Sequence, residues 1–124
     1  MRTAAQRAGD AAEAGVAAYL ERAGWRVLGR QVRVGRLELD LVTIDPGPPP
    51  SLVVVEVRWR ARRDFGLAEE TVDGRKRGRL HRAGFALRES GLLPDGGIVP
   101  ALPLRFDLVA VEPGGRLRHH RHGA

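Results

Sequence analysis

Residues 37–60, LELDLVTIDPGPPPSLVVVEVRWR, decide the fold. In the first part, 37–41, leucines alternate with two acids, and a period of two is typical of a β-strand. The part from 52 to 58 is apolar on both faces until an acid and an arginine interrupt it, which indicates a buried strand with a polar site at one end. The proline-rich segment between them, 45–50, has few backbone donors and predicts a turn. We therefore expect two antiparallel neighbouring strands.

Two acids meet in this predicted pair of strands. We pair Ile44 with Leu52 across the turn. The same register places Asp40 opposite Glu56, with Cβ atoms about 5 Å apart. Two carboxylates this close repel each other and are costly to bury, whereas Mg²⁺ (or Mn²⁺) is typically held by one or two carboxylates plus water and phosphate oxygens. Solvated acids at exposed strand ends are the alternative, but two acids in one register beside a basic stretch favour the metal site.

The composition favours one domain with an anionic partner. The chain has 124 residues, of which 43% are hydrophobic, enough for one core. The absence of cysteine excludes disulfides, thiolate nucleophiles and cysteine-ligated zinc. No apolar run reaches the roughly 20 residues of a membrane span and no signal peptide is recognisable, so we expect a cytoplasmic protein that does not bind membranes. The net charge of +6 favours nucleic acid as the partner.

The flanking sequence supplies the other elements of the fold. The predicted elements are helices over 9–23 and 74–89 and strands over 25–34, 37–41, 52–58 and 104–111. The order is helix, three antiparallel strands, helix and strand, which predicts an α/β fold with a mixed central sheet and flanking helices. We expect one domain over residues 1–112 and a disordered, basic, histidine-containing tail over 113–124.

Two basic segments accompany the paired acids. Four arginines surround a tryptophan in residues 58–63, and arginine forks bind phosphate oxygens while an indole can stack on a base. We interpret Trp59 itself as a core residue and the arginines as contacts. The second helix carries further arginines on one face, a pattern that is equally typical of a solvated surface. The arginines predicted to contact nucleic acid are Arg60, Arg62, Arg63, Arg75 and Arg79.

Two single residues are further candidates for the site. Lys76 is the only lysine in a chain with 21 lysine and arginine residues, which suggests a position that needs a compact ammonium or a tunable acid. Glu13 lies beside the apolar stripe of the first helix. It is either a third acid at the ion site or an ordinary surface acid near a helix N-terminus, and the residues leave both interpretations open.

The same residues carry a resemblance to known nucleases. Asp40 followed by residues 56–58, Glu-Val-Arg, is similar to the Asp…Glu-x-Lys signature of restriction-endonuclease-like nucleases. Residues 9–111 resemble the YraN family, a bacterial group without an established activity. The matching positions are Gly9-Asp10 with Glu13, Glu38 to Leu41, Val55 to Arg58 with Arg60, Phe65-Gly66, Val72 with Lys76 and Leu80, and Arg105 to Asp107. The resemblance implies a restriction-endonuclease-like fold related to archaeal Holliday-junction resolvases.

The resemblance also implies roles for individual residues. Asp40 and Glu56 correspond to the metal ligands, and Glu13 to an auxiliary acid. Arg58 is the third member of the motif and stands where nucleases of this fold usually have lysine. Because an arginine cannot readily give up a proton, this departure weakens the inference of activity more than the inference of fold. Together with Lys76, these residues make up the predicted catalytic set.

Three functions are compatible with these residues. The first is a Mg²⁺- or Mn²⁺-dependent endonuclease, a phosphodiesterase acting on DNA in preference to RNA, with branched DNA as a candidate substrate. In this enzyme Arg58 or Lys76 would counter the developing charge. The second is a nucleic-acid-binding module of nuclease-like fold without useful catalytic activity, and the third is an interaction protein whose acids are structural. No small-molecule cofactor is expected, and a homodimer is one option for the oligomeric state.

Overall fold

The computed structural model describes residues 2–59 and 74–124. The described elements are helix α1 (Ala4–Arg22), strands β1 (Arg26–Val34), β2 (Leu37–Asp45) and β3 (Ser51–Trp59), helix α2 (Gly74–Ser90), and strands β4 (Leu104–Val111) and β5 (Leu117–His120). The sheet order is β1-β2-β3-β4-β5, and all neighbours are antiparallel except β3 and β4, which are parallel. The prediction of an α/β fold with a mixed sheet and two helices is confirmed.

Helix α1 begins at a strong N-terminal cap. The hydroxyl of Thr3 accepts a hydrogen bond from the backbone N–H of Gln6, and the Gln6 side chain accepts one from the backbone N–H of Thr3. This capping box starts the helix earlier than the predicted Gly9, because the alanine-rich sequence upstream also favours helix. The helix ends near Gly24, as predicted, where a positive φ of 89° turns the chain.

The sheet has a core on each face, one with α1 and one with α2. The α1 side includes Val16, Leu20, Leu41, Val53, Val55 and Val109, and the α2 side includes Leu39, Val42, Leu52, Val54, Leu80 and Leu87. Strand β3 contributes alternate residues to both cores, which accounts for its continuous apolar run. In the part of the chain that the structure describes, no helix has the length and apolar character needed to cross a membrane.

The register between β2 and β3 is the one predicted. The paired residues are Leu41↔Val55, Val42↔Val54, Thr43↔Val53, Ile44↔Leu52 and Asp45↔Ser51. At the other end, the ladder stops at the pair of Leu41 and Val55. Asp40 and Glu56, which we predicted to lie opposite each other, are therefore not a paired position of the ladder. Instead, the backbone N–H of Val57 donates to Asp40 Oδ2 at 2.8 Å. A side-chain oxygen therefore takes the place of a backbone carbonyl at this end of the ladder.

The C-terminal segment corrects the prediction of a disordered tail over 113–124. Residues 117–120 form β5 at the edge of the sheet, and Ala124 is only 3% exposed. His119 Nε2 lies 2.8 Å from an oxygen of the buried Asp107. The polar composition of this segment is typical of a solvated tail. Here, however, one of its polar side chains contacts a buried acid. The segment also forms an edge strand, which requires few apolar residues.

Candidate active site

The two predicted metal ligands lie at the end of the β2–β3 ladder. Glu56, on β3, is buried with 5% of its surface exposed, and Asp40, on β2, is half-buried. Burial and the nearby negative charge of Glu56 raise the pKa of Asp40 to about 7. A carboxyl group with this pKa is partly protonated at neutral pH, and a positive charge beside it would restore the ionised form. The negative charge of Asp40 is therefore only partly compensated by the described residues.

Two cations among the described residues contact the same oxygen of Glu56. Arg58 Nη1 lies 2.9 Å and Lys76 Nζ 3.4 Å from Glu56 Oε1. The other oxygen, Oε2, is buried and has no hydrogen-bond partner among the described residues. A buried oxygen without a donor is costly, and a bound cation would compensate for it. The single lysine of the chain therefore lies beside the acid pair.

Glu13 approaches the same site from α1. Its side chain is buried and its Oε1 lies 3.0 Å from Arg30 Nε. Its Oε2 accepts a short hydrogen bond from Gln31 Nε2. After burial and Glu56, the charge of Glu13 also contributes to the raised pKa of Asp40. Glu13 is therefore a third acid near Asp40, held in place by two donors from β1.

Gln31 has an unusual backbone and was not among the predicted site residues. Its φ of 49° lies in the left-handed region, which costs a residue with a side chain roughly 1 kcal/mol or more. Its neighbours Arg30 and Val32 pair with Leu41 and Leu39 of β2, so the register places Gln31 opposite Asp40. Its side chain binds Glu13. No sequence signal marks this residue, because a polar side chain in an edge strand is ordinary and residue type does not reveal the backbone angle.

An open cleft of about 660 Å³ runs along these side chains. The lining residues include Arg2, Asp10, Glu13, Gln31, Asp40, Arg58 and Trp59. Trp59 is 40% exposed, so its interpretation as a core residue was wrong. It is the last residue of β3 and belongs to neither core. The cleft thus places an acid, an arginine and an indole next to one another in contact with solvent.

The predicted nucleic-acid contacts fall in two parts of the chain. Arg60, Arg62 and Arg63 lie outside the described residues. Arg75 and Arg79 are exposed on α2, the helix that brings the ammonium of Lys76 to the acid pair. The basic face of α2 is therefore open to a large anionic ligand.

The acid pair suits a hard divalent cation. Asp40 and Glu56 offer carboxylate oxygens, and two observations favour a cation there: the unpaired Oε2 of Glu56 and the raised pKa of Asp40. Within residues 2–59 and 74–124 no group of three or more His, Cys, Asp or Glu side chains is arranged to hold a metal. Mg²⁺ and ions like it commonly use one or two protein carboxylates and take their other ligands from water and phosphate, so two carboxylates are a usual number of protein ligands for such an ion.

Asp107, a second buried carboxylate, has a different environment. Arg105 Nε donates to its Oδ1 at 2.8 Å, His119 Nε2 lies 2.8 Å from its Oδ2, and the backbone N–H of His122 donates to Oδ1 at 3.1 Å. Burial on its own would raise the pKa of Asp107, but these hydrogen bonds, led by that of His119, lower it to about 2. Asp107 is therefore a structural acid paired with an arginine.

Comparison with known proteins identifies the family. The sequence profile of the uncharacterised protein family UPF0102 matches residues 12–111. A UPF0102 protein of Symbiobacterium thermophilum is 40% identical over 116 residues, which cover 91% of this chain and 90% of the relative. UPF0102 proteins of Moorella thermoacetica (39% over 107 residues, 86% of this chain and 81% of the relative) and Pseudomonas putida (40% over 106 residues, 86% and 80%) are also similar. These matches confirm the resemblance to YraN proteins, and the chain belongs to the UPF0102 (YraN) family.

Proposed function

We propose that this protein is a Mg²⁺- or Mn²⁺-dependent endonuclease that hydrolyses phosphodiester bonds of DNA in the cytoplasm. The paired acids, the cations beside them and the open cleft support this proposal. The net charge of +6 suits a polyanionic substrate. The fold we propose is restriction-endonuclease-like, because the two acids lie on adjacent strands of a mixed sheet with a helix packed on each face.

The state of Asp40 carries the proposal. Its pKa of about 7 results from burial and from a second acid, and its side chain lines an open cleft. Asp107 of the same protein shows what a structural acid looks like here, since it is surrounded by donors and its pKa is about 2. A buried acid that lacks such a set of donors and lines an open cleft is typical of a catalytic or ligand-binding site.

Each residue of the site has a role in this reaction. Asp40 and the unpaired Oε2 of Glu56 would hold the cation. When bound, the cation supplies polarisation of the scissile phosphate and lowers the pKa of an attacking water. Arg58 lines the cleft and would counter the negative charge that develops on the phosphate, with Lys76 as the second cation near Glu56. Glu13, fixed by two donors, would keep a third negative charge close to the metal ligands.

A nucleic-acid-binding module without useful cleavage is the second candidate, and one set of contacts favours it. Arg58 and Lys76 both contact Glu56, so the charge of this acid is largely compensated without a metal. Arginine is also a poor proton donor and acceptor in place of the usual lysine. In this case the protein would bind DNA with or without a divalent cation.

A cleavage assay distinguishes these functions. Labelled single-stranded, duplex, flap and four-way-junction DNA are incubated with the protein and Mg²⁺ or Mn²⁺, with EDTA as the blank. We expect cleavage of at least one substrate by the wild type and none by Asp40→Asn. Glu89→Gln is the matched control, because Glu89 is an exposed acid on α2 that does not line the cleft, and this variant should cut like the wild type.

Two outcomes would contradict the endonuclease. Wild-type protein that binds DNA in a salt-dependent manner but cuts none of these substrates is the binding module. Cleavage that survives Asp40→Asn and Glu56→Gln unchanged comes from another site or from a contaminating nuclease.

A further inference from the structure

An apolar groove of about 630 Å³ lies beside the acid cleft. One of its walls is α1, at Ala11 and Gly15, and the other is formed by Val111 and Leu117 on either side of the β4–β5 turn. Trp59 lines both the groove and the acid cleft. The cleft and the groove therefore share one wall, which is the indole of Trp59.

The exposure of Trp59 is unexplained by the packing of the fold. It is 40% exposed and belongs to neither core, whereas the other tryptophan, Trp25, is buried against the ring of His119. Burying an aromatic side chain is worth more than burying most others. At the junction of the two depressions, the exposed indole face of Trp59 is available to stack on a flat ligand.

We propose that Trp59 and the groove hold an unpaired base of the DNA whose backbone lies in the acid cleft, an inference that rests on the proposed function. Every base has a flat apolar face that can stack on an indole. The positions of the arginines complement the sugar–phosphate chain on either side of such a base, because Arg58 lines the cleft and Arg22 lines the groove. Glu112 also lines the groove, but it is buried and paired with Arg118.

The size of the groove favours a nucleotide over a folded protein. Sites for small molecules typically enclose about 300–1,000 Å³, and the groove measures about 630 Å³. A stable protein–protein interface instead needs about 800 Å² on each partner. Bases in a duplex are paired and stacked on both faces and are not available without extrusion. The substrate class is therefore DNA with an unpaired nucleotide beside the scissile phosphate: a single strand, a flap or a junction.

Tryptophan fluorescence tests the inference without any cleavage. The chain has two tryptophans, so Trp25→Phe leaves Trp59 as the sole emitter, and stacking on a base quenches its emission. Titrations in EDTA compare single-stranded, flap and blunt duplex DNA, and anisotropy of the labelled DNA reports binding independently. We expect quenching by single-stranded and flap DNA and none by the blunt duplex. If Trp25→Phe does not fold, the difference between wild type and Trp59→Phe gives the same signal.

Filling the groove provides a second test. A side chain at Gly15 meets no atom within 4 Å of its Cβ, so Gly15→Leu is expected to fold while its side chain occupies the groove, and Gly15→Ala is the matched control. Gly15→Leu and Trp59→Ala should each weaken single-strand binding by about 5-fold to 100-fold, the range for losing one base–aromatic stack. Gly15→Ala and blunt-duplex binding should stay unchanged.

The outcomes separate this inference from the proposed function. Single-strand binding that leaves Trp59 emission unchanged, or that is the same in Gly15→Leu and Trp59→Ala, overturns the base site and leaves the endonuclease standing. Equal quenching by blunt duplex overturns the requirement for an unpaired base. Self-association that is lost in Trp59→Ala shows that a second copy of the chain occupies the groove and also overturns the inference. A protein that binds none of the DNAs at low salt contradicts both proposals.

Discussion

Asp40 is only partly charged at neutral pH, because burial and the charge of Glu56 raise its pKa to about 7. In the unfolded chain an aspartate ionises near pH 4. The folded protein therefore holds this proton more tightly, so the associated stability is fully present below about pH 4 and is lost as the pH rises through about 7. Metal ions bind the deprotonated carboxylate. Stability of the metal-free protein and affinity for the metal should thus change in opposite directions with pH.

Replacing Asp40 by asparagine tests this coupling. Asp40→Asn should stabilise the metal-free protein above pH 7 by roughly 2 kcal/mol, from about 1.4 kcal/mol per pKa unit with a reduction for solvent screening. It should also weaken Mn²⁺ binding. Thermal unfolding as a function of pH and calorimetric titration with Mn²⁺ measure the two effects, and Glu89→Gln, at an exposed acid outside the cleft, is the control. Unchanged Mn²⁺ binding in both Asp40→Asn and Glu56→Gln would exclude a shared site.

Arg58 and Lys76 form the other part of the site, and charge-conserving exchanges separate their roles. Arg58→Lys should keep or raise metal-dependent cleavage, because lysine is a smaller cation whose pKa is more easily tuned. If Lys76 has taken over the usual lysine's role, Lys76→Arg should lower cleavage by about 10-fold or more and leave DNA binding nearly intact. Single-turnover cleavage and DNA anisotropy measure the two properties. If wild type and Arg58→Lys both bind DNA and neither cuts, the endonuclease is abandoned.

At the scale of the elements, helix α2 presents exposed arginines on the side of the site. Neutralising Arg75 and Arg79 to glutamine should lower affinity for DNA of every sequence and reduce the slope of log affinity against log salt by about one unit per lost phosphate contact. Neutralising Arg116 and Arg121, beside β5, removes the same charge elsewhere and is the control. Equal affinity and slope in wild type and the α2 variant would make these arginines ordinary solvated surface.

The strands at the centre of the sheet were predictable from the sequence. The proline-rich turn after β2 leaves only a narrow choice of register between β2 and β3. The pairing of Ile44 with Leu52 is therefore fixed by local information. The same register brings the two acids to one end of the ladder, so the order and spacing of the residues are enough to locate the core of the candidate site.

Features that depend on contacts between distant residues could not be predicted. Strand β5 is polar, and its place in the fold depends on His119 reaching Asp107 from another strand. Gln31 has a backbone angle that only its surroundings determine. Trp59 has a residue type that is usually buried, but the strand extends beyond both cores at its position. Each of these depends on tertiary structure that residue type and periodicity do not encode.

At the scale of the whole molecule, a polar network around Asp107 joins distant parts of the chain. Arg105 bridges Asp107 to Asp45 at the end of β2, with 3.0 Å between Arg105 Nη2 and Asp45 Oδ2. His119, on β5, joins the same acid to Tyr19 on α1, with 3.1 Å between His119 Nδ1 and the Tyr19 hydroxyl. This network therefore connects a helix with three strands of the sheet.

Asp107→Asn tests the contribution of this network. Because hydrogen bonds lower the pKa of Asp107 to about 2, its stabilisation is present above about pH 4 and is lost as the pH falls through about 2. The free energy of unfolding of the variant should be lower by roughly 2 kcal/mol at neutral pH. Its stability should also depend less on pH between about pH 4 and about pH 2 than that of the wild type. Urea unfolding at several pH values measures both, and Glu89→Gln, an exposed acid on α2, is the control. An unchanged profile in Asp107→Asn would contradict the role of the network.

The parallel pairing of β3 with β4 has a consequence for biosynthesis. On the ribosome, β1, β2 and β3 emerge consecutively and can pair at once, but the partner of β3 on its other side is residues 104–111. Until those residues are made, β3 is an apolar strand with an open edge, a template for pairing with other chains. Pairing between strands that are distant in sequence also forms slowly. We therefore expect the nascent chain to be most exposed to aggregation between the completion of β3 and the synthesis of β4.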